Sequence, residues 1–195
     1  MDIVDKKIIS IGGGGFTHQT DKFLDEFIIN QIIDRKIKFG FLPTASKDNL
    51  NKIKVYYEEL KKYNLELSHF ELCSKVKGFS NWIMDQDIIY VGGGNTKFML
   101  DLWQANKLYK YFEKAYNSGI ILSGVSAGAV CWFEWIFTDS LGDGYKPLRG
   151  MNFISGSCTP HASEKNRIYE FELSIKNKKI PNGCLLYTSP SPRDP

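Results

Sequence analysis

Residues 120–130 read IILSGVSAGAV, and this stretch decides the fold. An apolar run stops at the pattern Gly-x-Ser-x-Gly, which is formed by Gly124, Ser126 and Gly128. A strand that turns abruptly into a helix at a serine exposes the hydroxyl as a nucleophile, and small flanking residues leave room for the turn. The helix that begins there points free N–H groups at the place where negative charge develops during acyl transfer. The stretch therefore predicts a hydrolase nucleophile at Ser126.

Outward from this stretch, short apolar runs alternate with helical patterns. Strands are predicted at 7–11, 38–42, 65–72, 87–91 and 119–125, and helices over 21–36, 46–63 and 96–116. This rhythm is typical of an α/β fold with a doubly wound, mostly parallel sheet that carries helices on both faces. Ligands bind at the carboxyl ends of such strands. The glycine-rich ends of the first, fourth and fifth strands are therefore expected on one side of the sheet.

The composition limits the classes of function. A chain of 195 residues suits one domain with a sizeable core. A formal net charge of +3, with lysine and glutamate interspersed, argues against a nucleic-acid partner. No apolar run reaches the length of a membrane span, and the acidic N-terminus has no signal-peptide pattern. The four cysteines are widely spaced, as expected for reduced thiols, so the sequence predicts a cytoplasmic protein without a metal site.

The C-terminal residues 184–195, CLLYTSPSPRDP, break the pattern. They resemble the translation of an adapter or vector more than a native ending. The sequence therefore predicts a single domain over 1–183 whose C-terminal part is missing, followed by a non-native tail over 184–195.

Ser126 needs a base, and the chain has three histidines. His69 lies in a strand-like run, which favours a structural role, whereas His18 follows the first glycine-rich turn and could reach the edge of the site. His161 follows Pro160, which restricts the loop around it. An imidazole titrates near neutrality, so it can take the seryl proton and return it to the leaving group. We expect His161 to be this base.

A third group should orient the imidazole and stabilise its cation. Asp139 lies between nucleophile and base in the sequence and is the predicted member. Glu134, which we expect on the helix after the nucleophile, and Asp143, in a glycine-flanked turn, remain alternatives. The backbone N–H groups of Gly93 and Ala127 are the expected oxyanion donors.

A glycine-rich loop can also bind phosphate. Neither glycine run, at 12–15 or 92–94, has the spacing of a P-loop or of a dinucleotide-binding fingerprint. The sequence therefore argues against nucleotide binding.

Five motifs in order resemble one known family. They are VGGGNT at 91–96, GVSAGA at 124–129, CWFE at 131–134, TDS at 138–140 and PH at 160–161. Together they resemble peptidase E of the S51 serine peptidases, over about Lys7 to Gly183. The resemblance implies a fold similar to class I glutamine amidotransferases, with serine in place of their cysteine nucleophile. It also implies a triad of Ser126, His161 and Asp139 that needs no metal or cofactor.

The resemblance extends to the substrate, which is expected to be a short peptide and foremost an aspartyl dipeptide. Arg167 falls where the family reads the aspartyl carboxylate, and a bidentate guanidinium suits that task. Asn95 is the other expected substrate contact. Two positions depart from the pattern: Ala162 stands where an aromatic residue is expected after the histidine, and the family's final strands are absent after Gly183.

Two rival functions remain open at this stage. An α/β-hydrolase esterase shares the serine turn, but it would carry an HGGG-type oxyanion motif, which the chain lacks. A non-catalytic binding module could retain the pocket without the chemistry. The sequence does not decide between a monomer and a dimer.

Overall fold

The computed structural model describes residues 5–33 and 35–188. A parallel sheet of five strands forms the first layer, with the strand order β1-β5-β4-β2-β3. Its strands are β1 (Ile8–Ile11), β2 (Ile37–Leu42), β3 (Leu65–His69), β4 (Ile88–Val91) and β5 (Ile121–Val125). The helices that accompany it are α1 (Lys22–Ile29), α2 (Leu50–Leu60), α3 (Phe79–Met84), α4 (Thr96–Ala105), α5 (Tyr109–Asn117) and α6 (Ala127–Val130).

Strand β4 shows why helices cover both faces of this sheet. All four of its residues are buried. Ile88 and Tyr90 pack into one hydrophobic core, whereas Ile89 and Val91 pack into a second core. Side chains alternate across a strand, so a strand buried on both sides must lie between two helical layers. This arrangement confirms the predicted doubly wound α/β class.

A second sheet of four strands follows Ser126, with the order β7-β6-β8-β9. Its strands are β6 (Phe133–Thr138), β7 (Lys146–Arg149), β8 (Ile154–Thr159) and β9 (Gly183–Leu185), and α7 (Lys165–Lys176) connects the last two. The sequence analysis expected one sheet and a longer helix after the nucleophile. The run FEWIFT at 133–138 is rich in aromatic residues, which favour a strand over a helix.

The predicted boundary after Gly183 falls inside strand β9. This strand pairs in parallel with β8, with Cys158 opposite Cys184 and Thr159 opposite Leu185. Residues 189–195 of the predicted tail lie outside the described residues. The division at 183 stays a prediction.

The strand order positions the site. Strands β1, β5 and β4 are neighbours and run in the same direction, so their carboxyl ends meet at one edge of the sheet. The glycine run at 12–15 follows β1, the glycine run at 92–94 follows β4, and Ser126 follows β5. None of the helices in the described part of the chain is long and apolar enough to cross a membrane.

Candidate active site

Ser126 stands at a strained turn between β5 and α6. Its backbone has φ 53° and ψ −112°, a region that non-glycine residues rarely adopt, and its N–H donates to the carbonyl of Ile11 at 2.9 Å. A Cβ on Gly128 would lie 2.0 Å from the carbonyl oxygen of Val91, and one on Gly124 would lie 2.4 Å from that of Gly128. Both glycines of the motif are therefore required by close backbone approach, and the turn holds the hydroxyl out of the sheet.

His161 meets this hydroxyl from the second sheet. It follows β8, adopts φ 55° and places Nε2 2.8 Å from Oγ of Ser126. Burial, followed by the positive charge of Arg167, lowers the pKa of His161 below its ordinary value. A neutral imidazole can accept the seryl proton at Nε2, which is the geometry that a general base requires.

The other ring nitrogen of His161 lies against the C-terminal segment. Nδ1 is 3.1 Å from Oγ1 of Thr188. With Nε2 accepting from Ser126, Nδ1 carries the hydrogen and donates it to this hydroxyl. Thr188 lies within the predicted non-native tail, and no signal in the sequence pointed to it.

The two expected oxyanion donors lie on either side of Ser126. Ala127 follows it directly, and a Cβ placed on Gly93 would lie 3.3 Å from Cβ of Ser126. Within 5–33 and 35–188, no hydrogen bond uses the N–H of Gly93 or of Ala127. Both donors are thus available to a developing oxyanion.

Asp139 does not lie where the sequence analysis expected it. Its Oδ2 accepts from Nη2 of Arg167 at 3.1 Å, and its side chain is 63% exposed. No contact among the described residues joins its carboxylate to the ring of His161. In the structure the guanidinium of Arg167 binds the carboxylate of Asp139, and the role of Asp139 as the third triad member stays a prediction.

Arg167, the expected reader of a substrate carboxylate, is almost fully enclosed. Its side chain is 2% exposed, and its Nε donates to Oε2 of Glu164 at 3.0 Å. Its guanidinium lies 4.4 Å from the ring centre of Tyr145, whose hydroxyl also donates to Glu164. Burial raises the pKa of Glu164, but the hydrogen bonds from Arg167 and Tyr145 outweigh burial and lower it. Nη1 is the one guanidinium nitrogen without a partner in the described part of the chain.

Glu134 and Asp143, the alternative carboxylates for orienting His161, do not contact its ring in the described part of the chain. Glu134 lies on β6 rather than on a helix, where it accepts from Arg149 at 3.0 Å and from the N–H of Gly156 at 3.3 Å. Asp143 is exposed in the turn before β7. Neither of these carboxylates is hydrogen-bonded to His161 among the residues described.

The remaining histidines have local partners. His69 lies between the hydroxyl of Tyr57, 2.8 Å from Nδ1, and the carboxylate of Glu71, 3.3 Å from Nε2. His18 places Nδ1 3.2 Å from the backbone N of Gly14. His69 therefore has the structural surroundings that the sequence indicated, and His18 stabilises the first glycine-rich turn.

Asn95, the other expected substrate contact, caps α4. Its Oδ1 accepts from the N–H of Phe98 at 2.8 Å, and its own N–H donates to the carbonyl of Ala45 at 2.7 Å. Oγ of Ser140 accepts from the N–H of Thr96 at 3.0 Å, which joins the TDS motif to the same helix end. These motif residues hold the two loops together.

Sequence reasoning missed the lysine that contacts the oxyanion loop. Lys52 lies in the first turn of α2, and its ammonium donates to the carbonyl of Gly93 at 2.9 Å. The signal available in the sequence was a cation close to a helix start, where cations are disfavoured. No group of three or more His, Cys, Asp or Glu side chains that could hold a metal ion occurs within the described ranges.

Solved structures that are similar to this chain carry the same fold. One is the crystal structure of a putative peptidase E protein from Listeria monocytogenes EGD-e, with 17% identity, a TM-score of 0.63, and coverage of 89% of this chain and 88% of that one. Another is a peptidase from an acI-B1 actinobacterium, with 19% identity, a TM-score of 0.66, and coverage of 84% and 74%. At these identities the likeness establishes the fold.

Sequence comparison establishes the family. The chain is 38% identical over 181 residues to YgaJ, an uncharacterized peptidase of Bacillus subtilis (strain 168), and the match covers 91% of this chain and 78% of the relative. The profile of peptidase family S51 matches residues 8–188, which include Ser126, His161 and both glycine runs. The chain therefore belongs to peptidase family S51 and is a serine-type peptidase.

Proposed function

We propose that the protein hydrolyses short peptides through an acyl-enzyme on Ser126, with His161 as the general base. The observation that carries the proposal is the distance of 2.8 Å between Oγ of Ser126 and Nε2 of His161. Ser126 follows a strand of the first sheet, and His161 follows a strand of the second. The lowered pKa of His161 supports it, because a base must be unprotonated before it can accept the seryl proton.

The reaction follows from this geometry. Oγ of Ser126 attacks the carbonyl carbon of the peptide while its proton moves to Nε2 of His161, and the N–H groups of Gly93 and Ala127 bind the oxyanion. His161 then gives the proton to the leaving amine as the C–N bond breaks, which leaves an ester on Ser126. Water, deprotonated by His161, attacks the ester and releases the acid, and the returning proton restores the serine.

The substrate class proposed is the aspartyl dipeptide, with Arg167 as the reader of the aspartyl carboxylate. Support comes from the likeness to peptidase E and from the buried guanidinium close to His161. Glu164 and Asp139 hold two of its nitrogens. Nη1 has no partner but is buried, so it would donate to a substrate once the ion pairs around Arg167 open. Asn95 is proposed to border the same site through its side-chain amide nitrogen, since its oxygen caps α4.

We propose Asp139 as the third member of the triad, although its carboxylate contacts Arg167 and not His161. Asp139 acts on His161 through charge: it pairs with Arg167, and, after Glu164, it raises the pKa of His161 against the effects of burial and of Arg167. The hydroxyl of Thr188, 3.1 Å from Nδ1 of His161, is the group that this nitrogen contacts in the structure.

The test is labelling with a fluorophosphonate together with hydrolysis of aspartyl dipeptides. We expect the label on Ser126 alone, and a loss of about 10⁴-fold in kcat for Ser126→Ala and for His161→Gln. His69→Gln is the matched control and should keep its activity, since His69 has its own partners in Tyr57 and Glu71. Full hydrolysis by Ser126→Ala would overturn the mechanism, and an esterase would prefer aspartyl esters without cleaving the dipeptides.

A further inference from the structure

Lys52 lies at the start of α2, where its positive charge is unfavourable for the stability of the helix. Asn49 caps α2, its Oδ1 accepting from the N–H groups of Asn51 and Lys52, so Lys52 lies in the first helical turn. The positive end of the helix dipole disfavours a cation there. Local rules are broken in this way mainly at functional sites.

The ammonium of Lys52 also lacks the usual compensation. It is half-buried, burial lowers its pKa, and no carboxylate in the described ranges forms an ion pair with it. Lys54, two residues later, shows the ordinary case: it is 72% exposed and lies 3.7 Å from Glu58 one turn further along the helix. What holds Lys52 is the carbonyl oxygen of Gly93, at 2.9 Å.

This carbonyl belongs to the loop that lines the nucleophile. The loop is already fastened to the end of β2, because Gly92 donates to the carbonyl of Leu42 at 2.9 Å and Asn95 donates to that of Ala45 at 2.7 Å. A Cβ on Gly94 would lie 2.2 Å from the same Ala45 oxygen. Between these anchors Lys52 provides a side-chain donor to the loop, at the carbonyl of Gly93.

We propose that Lys52 is a positioning residue of the acyl-transfer site, which fixes the peptide groups around Gly93 so that their N–H groups face the oxyanion. In a trans peptide the C=O and N–H bonds point to opposite sides, so a donor that holds the carbonyl of Gly93 sets the direction of the N–H of Gly94 in the same peptide group. Because this fixes one side of the Gly93 backbone, it also limits rotation of the adjoining peptide group, which carries the N–H of Gly93. Preorganised donors stabilise the transition state more than the substrate. The inference rests on the proposed function of Ser126.

A cavity beside Lys52 suggests a second role for this side chain, which is to bind a group of the substrate. Lys52 lines a cavity of about 110 Å³ together with Thr17, Asn51 and Val55. A lysine that bound a substrate group in this cavity would act on binding of the ground state. A positioning lysine acts on the chemical step, so kcat and KM separate the two roles.

The experiment compares Lys52→Met, Lys52→Arg and the control Lys54→Met in the full chain. With aspartyl p-nitroanilide as the substrate, we expect Lys52→Met to lose about 10- to 100-fold in kcat with KM within about twofold, and Lys52→Arg to recover most of the loss. Lys54→Met should match the parent. Unchanged kcat in Lys52→Met, or a rise in KM alone, would overturn the proposal.

A second measurement does not depend on turnover. Amide hydrogen exchange at Gly93 and Gly94 should be faster in Lys52→Met than in the parent and should return towards the parent rate in Lys52→Arg. If the parent neither labels nor hydrolyses, the proposed function of Ser126 fails, while the exchange rates still decide whether Lys52 holds the loop. Equal exchange in all variants refutes the positioning role.

Discussion

The site joins two halves of the molecule that are built differently. The nucleophile half is the five-stranded sheet with its loops. It holds Ser126 between Gly124 and Gly128, where backbone atoms lie so close that side chains are excluded. The base half is the four-stranded sheet with its loops and α7, and it holds His161 beside an ion-paired cluster of Arg167, Glu164 and Asp139.

The difference separates two ways of fixing a functional group. In the nucleophile half, the backbone around Ser126 packs so closely that only glycine fits at positions 124 and 128. The geometry of the serine turn therefore depends on residues that have no Cβ. In the base half, charge and hydrogen bonding set the surroundings of the imidazole, so the geometry depends on side chains that can be exchanged one at a time. Substitutions at the serine turn should therefore affect folding, and substitutions around His161 should affect the titration of its imidazole.

The largest effect is expected for Gly128→Ala. The new methyl group would lie 2.0 Å from the carbonyl oxygen of Val91, so backbone on β4 or α6 must move. We expect a loss of about 3 kcal/mol or more in the free energy of unfolding, measured by urea denaturation. Gly142→Ala, in a turn of the base half with nothing within 4 Å, is the control and should lose only about 1 kcal/mol from its positive φ. Equal losses would refute steric exclusion as the difference between the halves.

A smaller effect concerns a carboxylate in the nucleophile half. Asp25 on α1 is 4% exposed, and desolvation raises its pKa to about 7, although a hydrogen bond from the backbone of Phe16 opposes the shift. A carboxyl whose folded pKa lies above its unfolded value contributes stability that is complete below the unfolded pKa, near 3.8, and is lost as the pH rises through about 7. The protein should therefore lose stability between about pH 4 and pH 7 from this group.

Asp25→Asn tests this assignment because the amide keeps the acceptor and carries no charge. Its stability should depend less on pH, and at pH 8 it should exceed that of the parent by about 2 kcal/mol in urea unfolding. At pH 4 the two proteins should be closely matched. Glu164→Gln serves as the contrast in the base half, where Arg167 and Tyr145 stabilise the ionised form. A parent stability that rises from pH 4 to pH 7 through Asp25 would contradict the sign.

The two halves also differ in how much of them the sequence predicts. Ser126, the glycine run at 92–94 and the alternating strands are encoded by neighbouring residues, so local patterns were sufficient to predict the fold class and the serine turn. The surroundings of His161 depend on α7 folding back onto the second sheet, which brings Arg167 between Asp139 and Glu164. Nothing local in TDS distinguishes an aspartate that pairs with an arginine from one that pairs with a histidine. The sequence analysis expected the helix after Ser126 to continue past residue 134. Because α6 in fact ends at Val130, the residues that follow are free to form the second sheet, which was not predicted.

The smallest effect is expected for Asp139→Asn, and its size decides how the base half works. If Asp139 oriented the imidazole directly, its loss would reduce kcat by about 10⁴-fold. Because its carboxylate instead pairs with Arg167, which Glu164 also holds, we expect a loss of less than about tenfold. Burial and Arg167 lower the pKa of His161, while Glu164 and, to a lesser extent, Asp139 raise it. Removing the charge of Asp139 should therefore move the acidic limb of kcat/KM slightly to lower pH.

The matched control for this last change is Glu134→Gln, which alters a carboxylate that pairs with Arg149 on the neighbouring strand β7. It should leave both kcat and the acidic limb where the parent has them. A loss of about 10³-fold or more in Asp139→Asn would instead mean that Asp139 reaches His161 during turnover. The ion-paired cluster would then have to open when substrate binds, and Arg167 would be released to the substrate carboxylate in the same movement.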